Sequence, residues 1–518
     1  MAFVKPAFLL AALLSLGTPA LADPERDANF ALVLAGDEGP ILTALSADDP
    51  QAQRDAFGAF ATAHPTAGAV SAALLAAHPE DPRAMVARGW YLQSLGQVKR
   101  GGASIRSVNP AALDEMQALH AEAMQLALAA VKAAPEMVAA SDLVLVLSRT
   151  LGEGAIADAE FARIMQVQPT RQSLLIASLS LAPRWGGPPG WSDRACEVWA
   201  AKVVDVADYT AEVCALDMLY SAWGNRDDQA LAWDRLALQD HPILDSGRLA
   251  HAQSGLAPTD EAIAVLQRIK EAGEMNLWDA RKLDALLGQS SSTERLGPAE
   301  AAVLPQELAR SRAEADFNPG SSLWLEFYMA VLYADMRENG TPWPADEIDR
   351  RYALVFQLAP YDFDTWMRYG QMQTDMLHLD DATLDEVEAV RAYFINGVVT
   401  GNHSAYALWG LEGFNRIVWS QLDKRNLDAM DATGAPAFDK ADYDRAVVCP
   451  EVRAIRLMQA ACDAEGGGGG CPKASDPTHP WDELLARAEK RKACGAELGA
   501  DPYDLRYEMQ VVPLPGEG

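Results

Sequence analysis

The sequence predicts an all-α protein built of antiparallel helical pairs, and three observations carry that expectation. Between its proline and glycine punctuation, nearly every segment has apolar residues at helical spacing, few segments alternate as strands do, and alanine and leucine dominate. Prolines then end these segments. Good helix formers run unbroken from Ala121 to Ala134 and stop at Pro135, whose ring removes a donor and clashes with the preceding turn. Pro65, Pro79, Pro169, Pro242 and Pro360 read as similar stops. Finally, Pro135 and Pro169 lie 34 residues apart, and small and aromatic residues recur in phase with them.

Counting back from Pro169, Gly152 falls at an interhelical turn, Ala157 at a tight packing position and Phe161 one turn later. Counting back from Pro135 gives Ala123 and Ala130, and from Pro242 gives Ala230, Ala237 and Leu238. In the second half, Tyr352 precedes Pro360, while Trp366, Tyr369 and Gly370 follow it. These positions resemble the tetratricopeptide repeat, including its W-x-x-L-G opening with tyrosine in place of leucine. The resemblance implies a degenerate solenoid in which small residues let paired helices approach and aromatics fill the gaps between pairs. An insertion interrupts the first pair between Gly96 and Asn109, and Asn402 to Ala435 fits no repeat register.

Residues 1–22 read as a secretory signal peptide. Lys5 is followed by an apolar run from Phe8 to Leu16, a break at Gly17 and Pro19, and the small-residue site Ala20-Leu21-Ala22. That run is far short of the roughly 20 apolar residues that span a bilayer, and the mature chain should lack a transmembrane segment. The expected organisation is a helical lobe over 23–288, a linker over 289–298 where three serines precede Gly297-Pro298, and a second lobe over 299–448. A hairpin over 449–498 then shields the last apolar face, as a solenoid end requires, and a tail over 499–518 follows, extended and mobile from Gln510.

Six cysteines in an exported chain favour disulfides over metal or redox chemistry. Six allow 15 connectivities, and helix geometry narrows them. Cys196 and Cys214 sit symmetrically about Asp205 in a turn between two helices. Cys449 opens a helix that ends near Cys462, and a second helix from about Pro480 reaches Cys494. Packed antiparallel, these pair Cys449 with Cys494 and leave Cys462 with Cys471 across the loop Gly466 to Gly470. No C-x-x-C pair exists, which argues against a zinc site.

The formal charge of −30 repels phosphate backbones, and no Lys/Arg cluster offsets it, so nucleic-acid binding is not expected. Four of the eight histidines, His64, His78, His241 and His479, directly precede proline; three of them close helices, where they can meet the negative end of the dipole. The segment Pro183 to Trp191 contains a Pro-x-Trp-Gly-Gly element downstream of Ala87-Arg88-Gly89-Trp90. From Asp81 to Ala222 this resembles an uncharacterised bacterial domain family, which implies a helical fold and no particular activity. A structural loop pinned by Trp185 is the favoured reading; the functional one has Arg88, Trp90, Arg184 and Trp185 lining a pocket for a peptide or other ligand.

No catalytic residue, cofactor site or metal site is assigned. The chain has no G-x-S-x-G elbow, no H-E-x-x-H helix and no P-loop. His378, Asp380, Asp381, Asp385, Glu386 and Glu388 read as a solvated helix start, and His403, Trp409 and Glu412 as residues of one helix. Any of the 13 tryptophans on a concave helical face would anchor a partner. The expected function is a periplasmic or secreted module binding a protein or peptide, with an enzyme acting on an envelope glycan or peptidoglycan as the alternative. The latter needs two inward carboxylates, one holding a proton near neutrality.

Overall fold

The computed structural model describes residues 24–102, 108–167, 255, 257–273, 275–289, 295–465, 471, 481–491, 494–495 and 500–512. Among them there is no strand. The helices are α1 (Pro24–Ala35), α2 (Glu38–Ala44), α3 (Pro50–Gly58), α4 (Pro65–Ala77), α5 (Pro82–Arg100), α6 (Pro110–Ala133), α7 (Val138–Leu151), α8 (Gly154–Val167), α9 (Thr259–Glu271) and α10 (Leu277–Leu286). They continue as α11 (Pro298–Phe317), α12 (Ser322–Asn339), α13 (Ala345–Leu358), α14 (Phe363–Met376), α15 (Leu384–Thr400), α16 (Ala405–Thr433), α17 (Lys440–Tyr443), α18 (Cys449–Glu465) and α19 (Trp481–Arg491). A π-helical turn over Asp444–Val448 leads into α18, and a 3-10 turn over Pro502–Leu505 precedes the end of the chain.

Two compact units divide the chain. The first comprises Met1–Gly96, Gln117–Pro319 and Phe327–Trp343; the second comprises Gln97–Met116, Gly320–Glu326 and Pro344–Gly518. In the first, α7 and α8 pack along each other across a two-residue connection. Gly152 makes that connection in the left-handed region, at φ 74°, where a side chain is strained. Ala123, Ala130 and Ala157 are buried, as close helix approach demands. Gly89 belongs to the same logic, because a Cβ there would come within 2.5 Å of the Leu143 side chain.

The linker expected at 289–298 lies within this first unit. Helices α10 and α11 on either side of it pack together, and the Asp284 carboxylate accepts from the backbone N–H groups of Ala299 and Glu300 at 3.0 Å, capping α11. Pro65 departs from its expected role. It opens α4 rather than stopping a helix, since at the first helical position its missing N–H is no loss. Accordingly His64 caps a helix N-terminus, its Nδ1 accepting from the Thr66 N–H at 3.2 Å, while His78 does close α4 and bonds Glu38 at 2.6 Å. Ala230, Ala237, Leu238 and Pro242, with Pro169, Trp185, His241 and His479, lie outside the described residues.

In the second unit α13, α14, α15 and α16 pack as successive neighbours, and α18 lies along α16. Tyr352, Trp366 and Tyr369 are buried at the expected core positions, the Tyr352 and Tyr369 rings meeting edge-on at 4.9 Å. Gly370 faces the Phe394 ring, which a Cβ would approach to 2.9 Å. The disulfides Cys449–Cys494 and Cys462–Cys471 both form, with Cα separations of 5.2 and 5.6 Å. Cys196 and Cys214 lie outside the described residues. At the supposed acidic helix start, Thr383 and Glu386 form a reciprocal capping box on α15.

Candidate functional site

The second unit buries charge in its core. Arg391 on α15, Glu412 and Asn415 on α16 and Glu451 on α18 are each no more than 4% exposed. Arg391 Nε donates to Asn415 Oδ1 at 2.7 Å, and the Trp481 indole N–H donates to Glu412 Oε1 at 3.2 Å. Arg416 lies 3.3 Å from the same oxygen of Glu412. Neither oxygen of Glu451 has a hydrogen-bond partner, nor does Arg391 Nη2. Burial, reinforced by the nearby Glu412 charge, holds the Glu451 carboxyl well above its ordinary range, against the pull of Arg416 and Arg391. Burial likewise lowers the Arg391 guanidinium to about 10. The π turn directly before α18 is the kind of local irregularity that clusters at functional sites.

Over this core runs the end of the chain. Leu505, which ends the 3-10 turn, and Tyr507, in the segment that follows it, are buried while Arg506 and Glu508 face solvent. The segment is held by its backbone. Asn396 Oδ1 accepts from the Gln510 N–H at 2.7 Å, and Asn396 Nδ2 donates to the Gln510 carbonyl at 3.1 Å. His403 Nε2 accepts from the Tyr507 N–H at 3.0 Å. Arg453 donates to the carbonyls of Leu505 and Arg506 at 2.6 and 2.7 Å, and its guanidinium lies 4.2 Å from the centre of the Tyr507 ring.

His403 reaches this position because it and Asn402 adopt positive φ, 52° and 54°, between α15 and the Ser404 cap of α16. That conformation costs non-glycine residues about 1 kcal/mol or more each. Burial first, then the Arg506 and Arg453 charges, lower the His403 pKa, which keeps its ring neutral and able to accept. His403 therefore precedes α16 instead of lying on it with Trp409 and Glu412. Trp409 is exposed and Glu412 fully buried, so the three do not converge. Likewise, Gln510 is tethered rather than mobile.

A second cluster surrounds the start of α14. Asp362, Asp364 and Glu326 lie together with Arg368, which pairs with Glu326 at 3.0 Å, and with Tyr406. Thr365 Oγ1 donates to Asp362 Oδ2 at 2.6 Å. Gly101, at φ 76°, passes so close to the Asp362 carboxylate that a Cβ would overlap it. Burial and then the Asp362 charge push the Asp364 carboxyl up to about 8, so it carries a proton at neutral pH. Burial also raises Asp362 and Glu326, Arg368 opposing it at Glu326.

Of the ligand residues expected from sequence, Arg88 donates to the Gly68 carbonyl at 3.3 Å and lies over the Tyr91 ring. Trp90, half-buried against the core of the first unit, has an indole N–H without a hydrogen-bond partner. Two residues apart on α5, they point about 200° from one another, so α5 alone does not bring them into one pocket. Arg184 and Trp185 lie outside the described residues. Sequence reasoning missed Asn396, Arg453, Asp364 and Glu451. Apolar residues alternate from Leu505 through Tyr507 and Met509 to Val511, but only the first two are buried, so this alternation does not by itself mark where the segment docks. Neither a family model nor a curated protein matches this chain.

Proposed function

We propose that this protein is an exported, non-enzymatic scaffold of tetratricopeptide-like type that binds a peptide or protein segment on its helical surface. One observation carries the reading: five side-chain hydrogen bonds, from Asn396, His403 and Arg453, engage the main chain of the docked segment. Helices that hold one such segment have the donors and acceptors to hold another. Two disulfides fit an oxidising compartment, the periplasm or the cell exterior. No described helix is long and apolar enough to cross a membrane. The acidic balance opposes nucleic acid as a partner. Arg88 and Trp90, with Arg184 and Trp185, remain a proposed second contact in the first unit. Affinity capture from an envelope extract, using the full chain as bait, tests the reading. A protein or peptide should co-purify; recovery of none overturns it.

A second reading, an enzyme acting on an envelope glycan, is favoured by Asp364, a protonated acid beside Asp362 and Glu326. Its test is release of fragments from purified peptidoglycan. Fragment release abolished by Asp364→Asn supports it, and no release by the full chain removes it.

A further inference from the structure

The groove lined by Asn396, His403 and Arg453 has the features of a ligand site rather than of a simple tail anchor. The five hydrogen bonds from these three side chains go to main-chain atoms, while Arg453 also lies over the Tyr507 ring, so the groove fixes the path of a segment more than its sequence. Selectivity comes instead from the two side chains that turn inward, Leu505 and Tyr507, each under a tenth exposed. Both join the apolar core formed by α15, α16 and α18. Close to Tyr507 lies Arg391, whose Nη2 is buried with no hydrogen-bond partner, and Arg391 in turn neighbours Glu451, whose carboxylate has none either. Buried polar groups left so are costly, and the resident Tyr507, itself a polar-tipped aromatic, does not satisfy them. His403, one of the three that grip the segment, is held in a strained backbone conformation.

We propose that this groove is a binding site for extended peptides carrying an aliphatic residue and, two positions on, an aromatic one, and that Leu505 to Gln510 is its resident, exchangeable occupant. The proposal rests on the scaffold reading above and names its ligand class. Cys494, fixed to Cys449 by the disulfide, lies only 11 residues before Leu505 (505 − 494), so the resident segment is present at an effective concentration of order millimolar. A partner's segment competes with that tether, and the site stays closed to weak ligands.

The test uses the full chain and a fluorescent peptide of residues 502–512, followed by anisotropy. Wild type should bind it weakly. Tyr507→Ala, which empties the aromatic position in cis, should bind it at least tenfold more tightly, and Gln510→Pro, which removes the N–H that Asn396 accepts together with the side-chain bond from Gln510 to the Glu508 carbonyl, several-fold more tightly. Adding Asn396→Ala to either should abolish the gain, and a peptide with serine at the positions of Leu505 and Tyr507 should not bind. Gln510 is exposed, so the proline variant keeps the core intact and decides the matter if Tyr507→Ala does not fold. Equal affinity for wild type and the proline variant, whether weak or strong, overturns the proposal. If capture from extract still yields a partner in that event, the scaffold reading stands and its site lies elsewhere; if capture yields none, both fall.

Discussion

The two units bury acids in contrasting ways. In the first, each of four deeply buried carboxylates has a defined donor. Asp142 pairs with Arg54 at 3.1 Å, Glu300 with Arg281 at 2.7 Å and Glu307 with Arg310 at 3.0 Å, while Asp284 caps α11. In the second, Glu412 is held by Trp481 and Arg416, but Glu451 has no hydrogen bond to either oxygen and the half-buried Asp364 carboxyl is pushed up to about 8. Partnered carboxylates hold helices in place. Glu451, with no hydrogen bond and a raised pKa, stores a proton and unmet hydrogen-bonding capacity, which a structural role alone does not require. The contrast directs attention to the second unit.

The largest expected effect comes from Glu451→Gln. Because burial raises the Glu451 pKa above its ordinary 4.5, the folded chain keeps a proton that the unfolded chain loses. The folded state is therefore penalised progressively as pH rises above that value, and the penalty is absent below it. Glutamine should stabilise the second unit by about 1–3 kcal/mol at pH 8 and have little effect at pH 4, read from urea midpoints. A loss of stability at pH 8 would show an ionised, paired Glu451 and erase the difference between the units. Asp284→Ala sharpens the other side of the comparison. Removing this cap should cost about 0.5–2 kcal/mol, by the same amount at pH 6 and pH 8, because what disappears is a set of amide contacts.

How much of this could be read from the chain follows from the range of the interactions. Proline and glycine act locally, so helix ends such as Ala133 before Pro135 and the left-handed turn at Gly152 were legible. Cysteine pairing in the C-terminal hairpin was legible too, because helix lengths fix which sulfurs meet: Cys449 with Cys494 and Cys462 with Cys471. Pro65 was misread, since a proline after a helix and one opening the next look alike in sequence and differ only in which side carries the cap. The candidate site was the least legible. Glu412 and Glu451 have the spacing of ordinary surface charges on helices, and the packing of α18 on α16 takes them out of water. His403 was noticed, but its partner, the Tyr507 amide, lies 104 residues away.

The smallest expected effect concerns that partnership. Titration of His403 is governed by its surroundings: Arg453 on α18 and Arg506 on the docked segment are the charges facing it, and both, with burial, disfavour the imidazolium. A histidine with a lowered pKa contributes docking free energy in full above its ordinary value of about 6.5 and loses it as pH falls through the lowered one. Protonation removes the Nε2 lone pair that accepts the Tyr507 N–H, a bond worth about 1 kcal/mol. Hydrogen-exchange protection of the Tyr507 amide, corrected for intrinsic rates, should therefore drop a few-fold between pH 7 and pH 5. In His403→Gln, whose carbonyl accepts at any pH, the drop should vanish. Protection that stays constant in wild type would mean the imidazole does not control the segment, and would shift its restraint to Asn396 and Arg453.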